Sequence, residues 1–114
     1  MPRAGGSAYN RGMSRLDQLQ TLLAKSPSDP FLLYGIALEH KKLDQTDSAL
    51  QYLERAIAAD GQYCYAYYQK GQILAGLGQT DAARASYLAG ISAAMVSRDS
   101  HAQGELQAAL EELD

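Results

Sequence analysis

The sequence LDQTDSA at positions 43–49 returns as LGQTDAA at positions 77–83, with five identical residues in seven. At the same offset of 34 residues, residues 30–63 align with residues 64–97 with eight identities, among them Tyr34 with Tyr68 and Ile57 with Ile91. A fixed period of this size indicates a repeat protein, in which each unit buries its apolar face only against its neighbours. We name residues 30–63 repeat 1 and residues 64–97 repeat 2.

Each repeat has the apolar spacing of two successive helices, and polar residues between them mark where one helix ends and the next begins. Gly78 suits the left-handed position that follows a helix, and Asp44 is its equivalent in repeat 1. Thr46 and Thr80 are residue types that cap helix N-termini, which predicts that they are the N-caps of the second helices. Asp29, which precedes a proline, predicts the N-cap of the first helix of repeat 1.

This pattern resembles the tetratricopeptide repeat (TPR) family, and in particular small bacterial-type TPR proteins. The 34-residue TPR unit has the signature W-x₂-L-G-x₂-Y, then A-x₃-F, then P. The matching positions are Leu33, Ile36, Ala37, Ala49 and Leu53 in repeat 1, where Gly61 replaces the closing proline, and Tyr67, Gly71, Leu74, Ala83 and Tyr87 in repeat 2. Departures at His40, Lys70, Gly90 and Met95 predict altered packing, above all where repeat 2 ends.

The resemblance implies an all-α fold: a short right-handed helical solenoid of two TPR helix-turn-helix units with flanking helices. Residues 14–25 have the apolar spacing of a leading helix, and residues 100–113 that of a capping helix that starts with a capping box at Ser100 and Gln103. We therefore expect one domain over residues 14–114, preceded by a mobile N-terminal arm at residues 1–13. Terminal helices with one polar face protect a solenoid from aggregating end to end.

Composition limits the function more than it defines it. Ten Lys and Arg against thirteen Asp and Glu give a net charge of −3, which argues against non-specific binding of nucleic acid or of anionic membranes. The single Cys64 fits a reducing compartment, and residues 1–12 lack the apolar region of a signal peptide, so we expect a cytoplasmic protein. The basic residues near the start of the chain are read as charges on a solvated arm, with recruitment of an acidic partner as the alternative.

The residues that carry chemistry in enzymes are sparse here. His40 and His101 lie 61 residues apart, which excludes a metal-binding pair on one helix, and no glycine-rich phosphate loop is present. We interpret His40 as a partly buried, hydrogen-bonded residue and Cys64 as a small, partly buried apolar one; a Cys64–His40 nucleophile pair is the less favoured alternative. The sequence thus predicts a non-catalytic protein with no cofactor and no metal.

Eight tyrosines against one phenylalanine and no tryptophan are the unusual feature of the composition. In TPR proteins one flank of each first helix lines a concave groove that binds partner peptides, and the resemblance carries this role to particular residues here. The implied groove residues are Phe31, Tyr34, Leu38, Lys41 and Lys42 in repeat 1, and Tyr65, Tyr68, Gln69 and Gln72 in repeat 2. Aromatic rings with a polar tip suit such an interface.

The function expected from these residues is a protein–protein interaction module that holds a peptide or a partner helix, with an apolar or aromatic segment as the preferred ligand. The runner-up is a structural protein whose tyrosine-rich face closes a homodimer. Tyrosines that pack only on one another would leave no open site. A surface that stacks single-stranded nucleic acid near Lys41, Lys42 and Lys70 is a third, weaker alternative because the chain is acidic.

Overall fold

The computed structural model describes residues 13–113, which form six α-helices joined by short turns and contain no strand. The helices are α1 (Arg15–Lys25), α2 (Pro30–Lys42), α3 (Thr46–Ala59), α4 (Cys64–Gly76), α5 (Thr80–Ser97) and α6 (Ser100–Glu112). Each helix packs on the next one in the chain, and α4 also contacts α6. The predicted all-α helical-repeat solenoid is confirmed. The arm predicted at residues 1–13 lies outside the described residues except for Met13.

The turns inside the two repeats have the same geometry. Asp44 and Gly78 follow α2 and α4 with left-handed backbone, at φ of 58° and 78°. In each turn two amides bond back to the helix end: the amide of Asp44 donates to the carbonyl of Lys41, and that of Gln45 to the carbonyl of His40. The corresponding bonds after α4 satisfy its last carbonyls in the same way. This is a Schellman turn, and the predicted left-handed positions are confirmed.

The N-terminal caps were predicted correctly for one helix and wrongly for three others. The Asp29 carboxylate accepts from the amides of Phe31 and Leu32 and caps α2, as expected. Thr46 and Thr80 are instead the first residues of α3 and α5, because only three residues (43–45 and 77–79) separate the helices and the next helix follows the Schellman turn at once. At α6, the predicted Ser100 capping box is also wrong.

Asp99, one residue earlier than Ser100, is the N-cap of α6. Its carboxylate accepts from the amide of Ala102 at 3.0 Å. A carboxylate is a stronger acceptor than a hydroxyl and interacts better with the positive end of the helix, so the aspartate takes the cap. Ser100 is then the first residue of the helix itself.

Small residues lie where the two helices of each repeat cross. Ala37 and Ala49 in repeat 1, and Gly71 and Ala83 in repeat 2, are buried, with Ala49 and Ala83 fully inaccessible to solvent. Small side chains let the helix axes approach closely, and the larger Leu33, Ile36, Leu53 and Leu106 fill the space around the crossings. The TPR spacing of small and large residues therefore builds the core.

The positions that depart from the TPR signature are accommodated locally. The His40 ring stacks on Tyr52 with centroids 5.4 Å apart, and its Nδ1 lies 2.6 Å from Oε1 of Gln45. The Lys70 ammonium forms an ion pair with Glu54 on α3 at 2.9 Å. Both polar side chains thus have partners at the edge of the helix packing.

Repeat 2 ends differently from repeat 1, as the departures predict. Helix α3 stops at Ala59, before Asp60 and Gly61, whereas the equivalent residues at positions 94 and 95 are alanine and methionine. Nothing stops α5 there, so it runs to Ser97 and ends in a turn with Arg98 at φ 59°. Helix α5 is 18 residues long against 14 for α3.

Candidate peptide-binding face

Helices α2 and α4 present a common row of side chains that a hydrogen-bond chain links. The Lys41 ammonium donates to Oε1 of Gln69 at 2.7 Å and to Oε1 of Gln72 at 3.4 Å. The Gln69 side chain bonds in turn to the hydroxyl of Tyr34, and Nε2 of Gln72 donates to the hydroxyl of Tyr68 at 3.0 Å. We call these five residues the lysine–tyrosine network; it spans both repeats.

Lys41 is less accessible than its neighbour Lys42. Lys41 is half-buried, and burial lowers the pKa of its ammonium. Lys41 lies between two helices, and its ammonium donates hydrogen bonds to two glutamines of repeat 2. Lys42 is exposed and forms an ion pair with Glu39 at 3.1 Å.

The two tyrosines of the network each pack against another tyrosine. The rings of Tyr34 and Tyr63 have centroids 5.2 Å apart and are tilted by 43°, while Tyr68 and Tyr87 lie 6.2 Å apart at 45°. These tilted pairs are a favourable aromatic geometry and hold the rings in place. Burial raises the pKa of the Tyr34, Tyr63 and Tyr87 hydroxyls. Tyr34 and Tyr68 are nevertheless only half-buried, so self-packing leaves part of each side chain accessible.

Besides Lys42, three of the predicted groove residues lie outside the network: Phe31, Leu38 and Tyr65. Phe31 is 64% exposed at the start of α2, and Leu38 is half-buried on the same helix. Tyr65 borders a concavity of about 270 Å³ between the start of α4 and the turn that leads into α6. Burial, followed by the nearby carboxylates of Asp99 and Glu105, raises the pKa of the Tyr65 hydroxyl.

Helix α6 contributes residues that the sequence did not assign to the face. A concavity of about 400 Å³ lies next to the network and is lined by Lys41, Gln72, Ala75 and Tyr87, with Ala109, Glu112 and Leu113 from α6. The motif comparison covered only the two repeats, so it could not place the capping helix beside α4. The apolar stripe of α6 was the available signal, because a helix that follows repeat 2 takes the place of the next first helix.

The residues considered for catalysis have structural surroundings. The Cys64 thiol is buried and donates to the carbonyl of Gln62 at 3.3 Å, while His40 is held by Gln45 and Tyr52. His101 lies 3.3 Å from Glu105 on the exposed side of α6. Within residues 13–113, no three His, Cys, Asp or Glu side chains are grouped as a metal site would need.

Comparison with known sequences decides the family. The sequence model of the tetratricopeptide repeat matches residues 32–63 and 65–94, which is more than half of the chain. The chain belongs to the tetratricopeptide repeat family. This TPR protein is therefore a protein–protein interaction module on a helical-repeat scaffold.

Solved structures agree with this TPR assignment. A tetratricopeptide repeat domain protein from Salinibacter ruber is 34% identical, with a TM-score of 0.73, over 77% of this chain and 89% of the other. A protein from Bordetella parapertussis is 28% identical, with a TM-score of 0.75, over 89% of this chain and 88% of the other. PcrH, solved in complex with the chaperone binding region of PopD, has a TM-score of 0.78 at 18% identity, over 94% of this chain and 83% of the other.

A curated relative shares only a segment with this TPR protein. The Hsp90 co-chaperone Cdc37 of Schizosaccharomyces pombe is 48% identical over 48 residues, which is 40% of this chain and 10% of that protein. In the described part of the chain, no helix has the length and apolar character needed to cross a membrane.

Proposed function

We propose that this TPR protein binds a peptide segment or a partner helix with apolar or aromatic side chains across the face formed by α2, α4 and α6. The lysine–tyrosine network is the observation that carries the proposal. It fixes side chains of two repeats relative to each other before any ligand arrives, so little side-chain entropy is lost on binding. The half-buried side chains of Tyr34 and Tyr68 offer apolar ring area together with polar tips.

The concavity beside α6 extends this face. Its floor includes Ala75 and Ala109, small residues that leave room for an inserted side chain, and the Tyr87 ring forms one wall. An aliphatic or aromatic residue of the partner would fill this space, while the rest of the segment lies along Tyr34 and Tyr68. Binding of this kind concentrates affinity in a few buried anchors.

A structural relative supports the proposal at the level of the fold. PcrH, which shares this fold over most of both chains, was solved with the chaperone binding region of PopD. A helical-repeat scaffold of this size is thus large enough to hold a segment of another protein. For the present chain, the network and the α6 concavity are the places where such a segment would lie.

The test is a selection from a random peptide library displayed on phage, followed by titration of the selected peptides. We expect peptides enriched in aromatic or aliphatic residues, with binding lost by at least about tenfold in Tyr68→Ala and in Tyr34→Ala. Leu22→Ala is the matched control, because Leu22 is an exposed apolar residue on α1, away from the network. Selected peptides that bind the tyrosine variants as tightly as the unmodified protein would contradict the proposal.

The homodimer closed by the tyrosine-rich face is the alternative function. Light scattering coupled to size-exclusion chromatography separates the two when the unmodified protein is compared with Tyr68→Ala, because only a dimer closed by the tyrosine-rich face would depend on that side chain. If the homodimer is the function, Tyr68→Ala should convert the dimer into a monomer. If peptide binding is the function, Tyr68→Ala should leave the oligomeric state unchanged and lose only peptide binding. The non-catalytic character and the cytoplasmic location stay predictions.

A further inference from the structure

The outer face of α5 is apolar where the equivalent face of α3 is polar. The repeat offset pairs Gln51, Glu54 and Arg55 of α3 with alanine, leucine and alanine at positions 85, 88 and 89 of α5. All of these positions are exposed in both helices. The two repeats thus provide an internal comparison: the same place on the same scaffold carries charges in repeat 1 and none in repeat 2.

The apolar residues form one continuous stripe along α5. Leu88, Met95 and Val96 are 50%, 59% and 67% exposed, so three of the exposed large apolar side chains of residues 13–113 lie on this one helix. The smaller members of the stripe are Ala82, Ala85, Ala89 and Ser92, all exposed. Helix α5 packs on α4 and α6 through its opposite side, so no element of residues 13–113 covers the stripe. A contiguous exposed apolar patch of this kind marks an interaction site.

We propose that this stripe is the contact of a homodimer, in which α5 of one copy packs antiparallel on α5 of a second copy. The proposal is independent of the peptide-binding face, which lies on the first helices. A two-fold axis near position 90 would place Ala85 opposite Met95 and Leu88 opposite Ser92, so that Leu88 and Met95 each meet a small side chain. Such alternation lets two helices approach closely.

Charge complementarity at the two ends of α5 selects the antiparallel arrangement. Asp81 lies in the first turn of α5 with its side chain fully exposed, and Arg98 follows the last turn and is also exposed. Because the axis lies midway between them, each Asp81 would lie near the Arg98 of the other copy, twice per dimer. Arg84, which pairs with Asp81 at 3.1 Å within one chain, lies on the flank of the stripe.

A concavity beside the stripe also fits a second copy of α5. A concavity of about 270 Å³ lies between α4 and α5, and Ala82, Ala85 and Ala89 form one side of it. In the antiparallel pair, the Met95 side chain of the second copy would lie over Ala85, at the mouth of this concavity. Methionine is flexible and fills irregular apolar spaces well.

Two paired helices of this length form a contact at the lower end of the size range for specific interfaces, so we expect a dimer with a dissociation constant on the order of micromolar. Sedimentation equilibrium over roughly a hundredfold range of concentration would measure it. Leu88→Glu, which installs the residue type that repeat 1 has at this place, should weaken the dimer by at least about tenfold. Leu22→Glu, at a similarly exposed leucine on α1, should leave it unchanged.

Charge-swap variants test the orientation. Asp81→Arg and Arg98→Asp should each weaken the dimer, since each places like charges together at both ends. A mixture of the two variants, and the double variant, should restore the affinity because every end then pairs opposite charges again. A chain that stays monomeric at all concentrations would overturn the proposal, as would a dimer that Tyr68→Ala abolishes and Leu88→Glu does not. Failure of the double variant to restore the affinity would overturn the antiparallel arrangement.

Discussion

Gly71 on α4 faces the ring of Tyr87 on α5 at the crossing of the two helices of repeat 2. A Cβ atom on Gly71 would lie 2.6 Å from Cδ1 and 2.9 Å from Cζ of that ring. Tyr87 is 3% exposed and its ring also packs on Tyr68, so the ring has little room to move away. The glycine is therefore required by the neighbouring side chain, at a helical position where glycine itself is unfavourable.

We expect Gly71→Ala to destabilise the protein by about 1–3 kcal/mol, although alanine is the better helix former. Gly104→Ala on α6 is the matched control, because no atom lies within 4 Å of the added Cβ. The control should raise the free energy of unfolding by up to about 1 kcal/mol. Urea denaturation measures both variants, and a Gly71→Ala protein as stable as the control would show that the helices cross elsewhere.

Substitutions at the two equivalent turn positions, Asp44 and Gly78, should change the stability of the protein in different directions. Gly78 has φ of 78° and Asp44 has φ of 58°. Gly78→Val should destabilise by about 1 kcal/mol or more, because a β-branched side chain resists positive φ. Asp44→Gly should be neutral or slightly stabilising, since aspartate carries a small penalty in the left-handed region. Thermal melts of both variants that match the unmodified protein would contradict this account of the turns.

The stability of the fold should fall at alkaline pH. Burial raises the pKa of the Tyr34, Tyr63, Tyr65 and Tyr87 hydroxyls above 10.0, the value expected in the unfolded chain. When the pKa of an acidic group is higher in the folded protein than in the unfolded chain, the group stabilises the fold. This contribution is complete at pH values below the pKa of the unfolded chain, and it is lost as the pH rises through the pKa of the folded protein. Lys41 acts in the other direction because burial lowers its pKa, but it is one group against four.

Urea denaturation between about pH 9 and pH 11 should therefore show a decreasing free energy of unfolding. Tyr34→Phe removes one of the four groups and the charge that raises the pKa of Tyr63, so its stability should depend less steeply on pH. In a titration followed by the near-ultraviolet absorbance of tyrosinate, the variant should lack one of the tyrosines that ionise at raised pH. If the free energy of unfolding of the variant had the same pH dependence as that of the unmodified protein, the pKa of Tyr34 would not differ between the folded and the unfolded chain.

The sequence predicted the repeat period, the TPR signature positions and the left-handed turns, because each depends on residue types at fixed spacing. The N-cap of α2 was also predicted correctly, but those of α3, α5 and α6 were not; at α6 two candidate caps, Asp99 and Ser100, are adjacent in the sequence. The environment of Lys41 could not be predicted from spacing either. Its partners are on α4, and only the packing angle of two helices decides whether a lysine at a helix end faces solvent or a neighbouring glutamine.

We expect the peptide-binding face to bind acidic C-terminal tails weakly or not at all. The best-known TPR ligands are chaperone tails whose carboxylates are held by lysine, arginine and asparagine, whereas the matching places here are Tyr34, Leu38, Gln69 and Gln72. Lys41, the nearest cation, already donates to both glutamines, so binding a carboxylate would require it to exchange those bonds. Glu112, which lines the adjoining concavity, would repel a carboxylate placed there.

An acidic tail peptide and the same peptide amidated at its C-terminus should therefore both bind weakly or not at all, and with equal affinity, in a fluorescence titration. A peptide selected for the Tyr34 and Tyr68 face is the positive control, and amidation should leave its affinity unchanged too. Gln69→Lys combined with Gln72→Arg should create a preference for the free carboxylate, since it supplies cationic donors where the glutamines are now. Micromolar binding by the unmodified protein that amidation abolishes would show that Lys41 leaves its glutamine partners to hold a carboxylate, and the peptide-binding face would then be centred on Lys41 instead of on the tyrosines.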